Sequence, residues 1–142
     1  MFPEDMIAIR DSCLCLAIKR AARAVARQYD DAFADLHLTS GQFSLLAMLA
    51  GQDEWTLGRL AASMSTDRTS LTAALKPLER RKLLQTGGDP KDGRLRMIRL
   101  MPAGRKILDS ALPRWRSVQD VVLAKLAKDN TPKFLKILDQ IS

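Results

Sequence analysis

The chain has 142 residues, of which 46% are hydrophobic and only 5% aromatic, and it carries a formal net charge of +7. Such a composition describes one helix-rich globular domain and excludes a disordered segment. No apolar run approaches the roughly 18 residues that a membrane span needs.

The opening stretch MFPEDMIAIRDS is acidic and has no basic region running into an apolar one. No signal peptide is therefore expected, and the expected location is cytoplasmic. From about Ile7 to Leu36 the sequence holds no Pro or Gly and reads as one long helix. Its apolar stripe is Ile7, Leu14, Ile18, Ala21, Val25, Tyr29, Ala32 and Leu36, with Lys19, Arg20, Arg23 and Arg27 lying off it. At ~1.5 Å per residue this helix is ~40 Å long, so part of its stripe is expected to pack on another chain. In LTSGQFSLLAMLAG, Thr39 or Ser40 can cap a second helix carrying Phe43, Leu46, Ala47 and Ala50 and stopping at Gly51. QDEW reads as a loop.

Thr56 then caps a short helix whose Leu57, Leu60 and Ala61 face inward, and Ser65 and Thr66 are the expected caps of the next. That helix places Leu71, Leu75 and Leu78 on its core side, and Asp67, Arg68, Thr69, Ser70, Thr72 and Lys76 on a polar outer face. Pro77 should kink its last turn or shorten it. Two short helices joined by a tight turn, the second with a polar N-terminal face, are the ingredients of a helix-turn-helix. LLQTG and RLRMIRL then flank GDPKDG, which makes a basic two-stranded hairpin, a wing. From Pro102 the chain is helical again, with a stripe of Leu108, Ala111, Trp115, Val118, Val122 and Lys125 or Leu126, and Pro113 as a bend. Asn130, Thr131 and Pro132 open a last helix that carries Phe134, Leu135, Leu138 and Ile141.

The positive charge is concentrated in the middle. Between Arg59 and Arg105 there are 11 Lys/Arg against 4 Asp/Glu, whereas the two flanks together hold 12 of each. A solvated face is one reading of such a run; the other is the electrostatic footprint of a module that binds a polyanion, most often nucleic acid.

Enzymatic chemistry has little to work with. His37 is the one histidine and reads as a loop residue, so neither a catalytic triad nor a metal cluster is expected, and there is no Gly-rich phosphate loop. No cofactor is expected. Cys13 and Cys15, two residues apart on one helix, point to nearly opposite sides and cannot bridge each other.

The order of elements, and above all LTAALKPLERRKLLQTGGDPKDGRLRMIRLMPAGR (residues 71 to 105), resembles the MarR family of winged-helix transcriptional regulators. The motifs that carry the resemblance are Leu78-Glu79, the basic and apolar run from Arg80 to Leu84, Asp89, Asp92 and Arg94, and MPAGR from Met101. The resemblance implies a mainly α fold with a two-stranded wing, in which residues 1–36 and 102–142 form dimerisation helices around a DNA-binding lobe at 37–101. It implies a homodimer on a pseudo-palindromic duplex operator, with recognition helices in successive major grooves and wings in the flanking minor grooves. Thr66, Arg68, Thr69, Ser70, Thr72 and Lys76 are then the recognition-helix candidates, Lys76 on a phosphate. On the wing the candidates are Lys91, Asp92, Arg94 and Arg96. Arg94 would enter the minor groove, where a narrow A·T tract attracts it, and Asp92 would orient it through a charge-assisted hydrogen bond. Many relatives carry Arg where this chain has Ala73, which removes one plausible guanine reader.

The commoner family role is a repressor released by a small anionic or aromatic ligand. An alternative within the family follows from CLCLAIKRAARAVARQY, which resembles the first helix of its organic-hydroperoxide sensors: Cys15 would be the sensing thiol and Tyr29 one of the tyrosines that hold it, reached from the other subunit. The second tyrosine position is Lys19 here, and the competing reading makes both thiols small buried hydrophobes. From another class, a helical interaction module could bind an acidic partner through the basic middle. An Arg-tipped hairpin directly after a helix-turn-helix favours DNA.

Overall fold

Side-chain caps and the spacing of leucines set the central lobe. The computed structural model describes residues 2–51, 54–126 and 130–142. In chain order these form α1 (Pro3–Ser12), α2 (Leu14–Phe33), a 3-10 turn (Ala34–Leu36), α3 (Ser40–Ala50), β1 (Trp55–Thr56), α4 (Leu57–Ser63) and α5 (Arg68–Arg80). They continue with β2 (Leu84–Gly88), β3 (Arg96–Leu100), α6 (Pro102–Lys125) and α7 (Thr131–Asp139). The Thr39 hydroxyl accepts from the Gln42 amide at 3.2 Å to start α3, and the Thr56 hydroxyl accepts from the Arg59 amide at 3.1 Å to start α4. For α5 the cap is Asp67, whose carboxylate accepts from the Ser70 amide at 2.7 Å, and not Ser65 or Thr66. Ser65 instead has φ of 49° and ends α4.

The single long helix expected over residues 7–36 is two helices. The break falls at Cys13, whose ψ of 106° is extended, and the second helix stops at Phe33. Just before the break the Ser12 hydroxyl donates to the Ala8 carbonyl at 2.6 Å, a side-chain competitor for backbone bonding that bends helices without Pro or Gly.

Three helices end alike. The amides of Leu38, Thr66 and Leu83 donate back to Phe33, Ala61 and Leu78, and those of His37, Ser65 and Lys82 donate to Ala34, Ala62 and Glu79. This is the paired Schellman arrangement. Its left-handed residues are His37, Ser65 and Lys82, with φ of 50°, 49° and 58°, where glycine is the usual occupant.

One core joins the lobe to the long helices. Phe33, Leu46, Leu60, Leu71, Leu75, Leu78, Leu84, Ile98 and Ala111 are buried together, with Tyr29, Leu108 and Trp115 packed against them. On α3 the buried face is Leu45, Leu46 and Leu49, while Ala47 and Ala50, named from the apolar spacing, are exposed. The larger leucines remove more apolar area from water and take the inward side.

The wing sheet has three antiparallel strands in the order β1-β3-β2, a correction to the expected two. Trp55 pairs with Ile98 on one side of β3, and Thr86 pairs with Ile98 on the other. Of the QDEW stretch read as a loop, Trp55 is therefore strand, and Gln52 and Asp53 lie outside the described residues. Pro77 stands inside α5, which runs on to Arg80, so the helix is not shortened there. Pro113 likewise stands inside α6. Asn130 precedes α7 but its side chain caps nothing.

Candidate nucleic-acid interface

The first turn of α5 is built around Asp67. Its two carboxylate oxygens accept from the Ser70 amide and from the Ser70 hydroxyl, each at 2.7 Å, which holds this carboxyl below the usual carboxylate range. Since Leu71, Leu75 and Leu78 are buried, the helical period turns Arg68, Thr69, Thr72, Ala73, Lys76 and Arg80 outward, and all six are exposed. The Thr72 hydroxyl donates to the Arg68 carbonyl at 2.7 Å and keeps its lone pairs for an outside donor. Thr66 is half-buried beside the start of the helix, and Ser70 is committed to the cap as a donor. Of the recognition residues expected from sequence, Arg68, Thr69, Thr72 and Lys76 share one open face. Arg80 joins it, unforeseen, one turn further on.

The wing tip is a pair of Asx turns. Asp89 Oδ1 accepts from the Lys91 amide at 2.7 Å, and Asp92 Oδ1 accepts from the Arg94 amide at 3.0 Å. This corrects the expected charge-assisted hydrogen bond to the Arg94 side chain: Asp92 shapes the turn through the backbone, and among the described residues no carboxylate lies within salt-bridge distance of the Arg94 guanidinium. Lys91, Arg94 and Arg96 are exposed.

Glu79 fastens the wing to α5. Its Oε1 accepts from the Thr86 hydroxyl at 2.7 Å and the Thr86 amide at 2.9 Å. The two Thr86 bonds, helped by the positive charge of Arg96, hold the Glu79 carboxyl below the usual range. At the end of α5, Arg81 donates to the carbonyls of His37 at 2.5 Å and Leu36 at 3.1 Å. Gly104 closes the joint from the other side, because a Cβ there would lie 2.2 Å from the Leu83 carbonyl oxygen. The sequence offered Leu-Glu and Pro-Ala-Gly as motifs without showing that both hold the wing in place.

The charge balance of this surface follows from these contacts. The four acids of the basic middle, Asp67, Glu79, Asp89 and Asp92, each accept hydrogen bonds from a nearby cap, strand or turn. Among the described residues the salt bridges are Arg10–Asp11 and Arg114–Asp35, both outside the lobe. The guanidinium and ammonium groups of α5 and the wing therefore face solvent without a carboxylate in contact, as a phosphate-binding surface requires. A cleft of about 400 Å³ opens between α3 and α5, lined by Leu45, Met64, Leu71, Ala74 and Pro77 with Gln42 at its edge.

The other candidate residues lie elsewhere. His37 is the loop residue expected. Cys15 is exposed and Cys13, at the break between α1 and α2, is half-buried, so in the single chain neither is the buried hydrophobe of the competing reading. Tyr29 donates its hydroxyl to the Gln119 side chain on α6 of the same chain, and its partial burial raises its pKa. Among the described residues, no group of three or more His, Cys, Asp and Glu could hold a metal ion, and no helix is long and apolar enough to cross a membrane.

Comparison with known proteins places this architecture. The family model for MarR matches residues 38–95. The M. tuberculosis transcriptional regulator MosR, solved in complex with DNA, is 33% identical with a TM-score of 0.83, over 92% of this chain and 93% of MosR. The transcriptional repressor CouR, solved on a 23-mer duplex, is 27% identical with a TM-score of 0.83, over 95% of this chain and 96% of CouR. The HTH-type transcriptional repressor NicR of Pseudomonas putida is 27% identical over 92 residues, which span 65% of this chain and 58% of NicR. With the family model on the winged helix-turn-helix and MosR 33% identical over 92% of the chain, the chain belongs to the MarR family.

Proposed function

We infer that the protein is a homodimeric transcriptional regulator that binds duplex DNA in the cytoplasm. The observation that carries this reading is the uncompensated basic surface shared by α5 and the wing, whose own acids are all engaged in local hydrogen bonds. MosR and CouR, which have the same fold along nearly their whole length, were both solved with DNA. Arg68, Thr69, Thr72, Lys76 and Arg80 meet the major groove, and Arg94 meets the minor groove. Ile7, Leu14, Ile18, Val121, Phe134, Leu135 and Ile141 are exposed apolar side chains of the first and last helices, and a second copy covers them.

Repression relieved by a small effector is the proposed mode of action, since CouR and NicR are both described as repressors. The cleft between α3 and α5 has no charged lining residue, so a compact neutral aromatic compound suits it better than an anion. A ligand there leans directly on the recognition helix and favours a spacing that no longer fits the operator.

The test is titration of fluorescent duplexes, enriched by the protein from a random-sequence pool, over a series of salt concentrations. Log K falls linearly with log salt, steeply if several phosphates are neutralised per dimer. No duplex enriched, or an affinity indifferent to salt, would overturn the reading.

A further inference from the structure

Gly58 is the second residue of α4, inside a helix of only seven residues. Glycine there is a poor choice for the helix itself, since alanine is the better helix former at almost any interior position. Leu60 and Ala61 are the buried residues of α4, and the three atoms nearest to where a Gly58 side chain would begin are not core atoms. What does lie there is Arg68. A Cβ on Gly58 would stand 2.7 Å from Arg68 Nη2, 3.3 Å from Cζ and 3.5 Å from Nε. The Nη2 end of the guanidinium therefore occupies the space in which a Gly58 side chain would begin.

Arg68 is the first residue of α5 and is exposed. Among the described residues its guanidinium has neither a hydrogen-bond acceptor nor a carboxylate within salt-bridge distance. The space left open by the missing Cβ of Gly58 is where the group lies. A cation free of internal partners at the leading end of the recognition helix is placed to meet a phosphate or a base edge, and any restraint on it lowers the ordering cost of that contact.

We propose that Gly58 is a positioning residue for Arg68: the missing Cβ leaves a seat between α4 and α5 on which the guanidinium is held for contact with DNA. The inference rests on the DNA-binding reading and adds to it a residue that need not touch DNA. Ordinary van der Waals contact lies at 3.4–4 Å, so an alanine at this position displaces the guanidinium without forcing any backbone to move.

A double-mutant cycle tests this, with Gly58→Ala, Arg68→Ala and the double variant titrated against the same enriched duplexes at one salt concentration. Arg68→Ala is expected to lower affinity about tenfold or more. Gly58→Ala lowers it by a smaller factor, about threefold, while its melting temperature equals or exceeds that of the wild type because alanine is the better helix former. The double variant binds like Arg68→Ala alone, since with no guanidinium the seat has no further effect. If Gly58→Ala costs the same factor with and without Arg68, the new methyl acts on the DNA or the fold directly and the proposal is wrong. If Gly58→Ala binds like wild type while Arg68→Ala does not, Arg68 needs no seat; the proposal fails and the DNA-binding reading stands. If Arg68→Ala itself binds like wild type, Arg68 is no contact and the proposal falls, whereas the reading as a whole falls only if the wild-type chain also shows no salt-dependent binding.

Discussion

Glu79→Ala should loosen the wing by an amount that the geometry allows to be worked out. β2 is the outer strand of the sheet, so the Thr86 amide that points away from β3 has no neighbouring strand to bond. Glu79 Oε1 stands in for that strand, and it also takes the Thr86 hydroxyl. A net hydrogen bond to an ionised acceptor contributes about 1.5–3 kcal/mol, and the freed amide at a sheet edge can recover water, so the loss for both bonds is about 2–3 kcal/mol. For a chain of this size that corresponds to a fall in melting temperature of roughly 5–10 °C, read by circular dichroism or calorimetry. Glu79→Gln keeps an acceptor oxygen without the charge and should fall between the two. The pH dependence has a definite sign. Because the folded carboxyl titrates below its unfolded counterpart, its contribution is in place above the ordinary carboxylate range and is lost as pH falls through the lower folded value. Glu79→Gln removes that part of the acid destabilisation. An unshifted melting temperature in Glu79→Ala, together with an acid limb unchanged in Glu79→Gln, would refute the clamp.

At the wing tip, Arg94→Ala should weaken binding to A·T-flanked duplexes with the dimer intact, and Asp92→Asn should bind nearly as wild type because an amide oxygen can still accept from the Arg94 amide; a large loss in Asp92→Asn would restore the charge-assisted bond to the Arg94 side chain. Gly104→Ala drives a methyl against the Leu83 carbonyl, a backbone atom, and should cost about 3 kcal/mol in chemical denaturation. His37→Gly relieves a left-handed residue and should gain about 1 kcal/mol in the same assay. Cys15→Ser should keep both DNA binding and effector response, and hydroperoxide should not release the wild-type protein from DNA, because Tyr29 is engaged by Gln119 within its own chain. Peroxide-driven release that is lost in Cys15→Ser but kept in Cys13→Ser would move the protein to the redox-sensing branch.

Periodicity made the recognition helix legible: Leu71, Leu75 and Leu78 have the spacing of a buried face, and they are buried. Basic residues around a turn signal likewise announced the wing. The third strand was not visible, because two residues are too few for an alternating pattern and Trp55 owes its place to Ile98, far along the chain. Helix ends were misplaced for a local reason. Gly, Pro and Ser/Thr are the sequence signals of helix ends, whereas α4 and α5 stop at left-handed Ser65 and Lys82, and Asp67 takes the cap. Of the site, the exposed cations were readable from sequence. The residues that hold them, Gly58, Glu79, Arg81 and Gly104, were not, since each acts on a partner that only the fold brings close.

The same supporting contacts suggest how a disturbance among the long helices reaches DNA. Residues 29–40 form a corner held by directional bonds: Tyr29 to Gln119 and Asp35 to Arg114 on α6, Asp30 to the Ser40 amide of α3 at 2.6 Å, and Arg81 at the end of α5 to the carbonyls of Leu36 and His37. Leucines packed on leucines tolerate small sliding, because dispersion and burial have little angular preference. Hydrogen bonds of this kind weaken steeply once they are misaligned. A shift of α2 against α6 would therefore be felt through the corner at Arg81. From Arg81 it passes to α5, and two residues before Arg81 stands Glu79, which holds the wing. Recognition helix and wing are joined there through Glu79, so a displacement of one would be passed to the other.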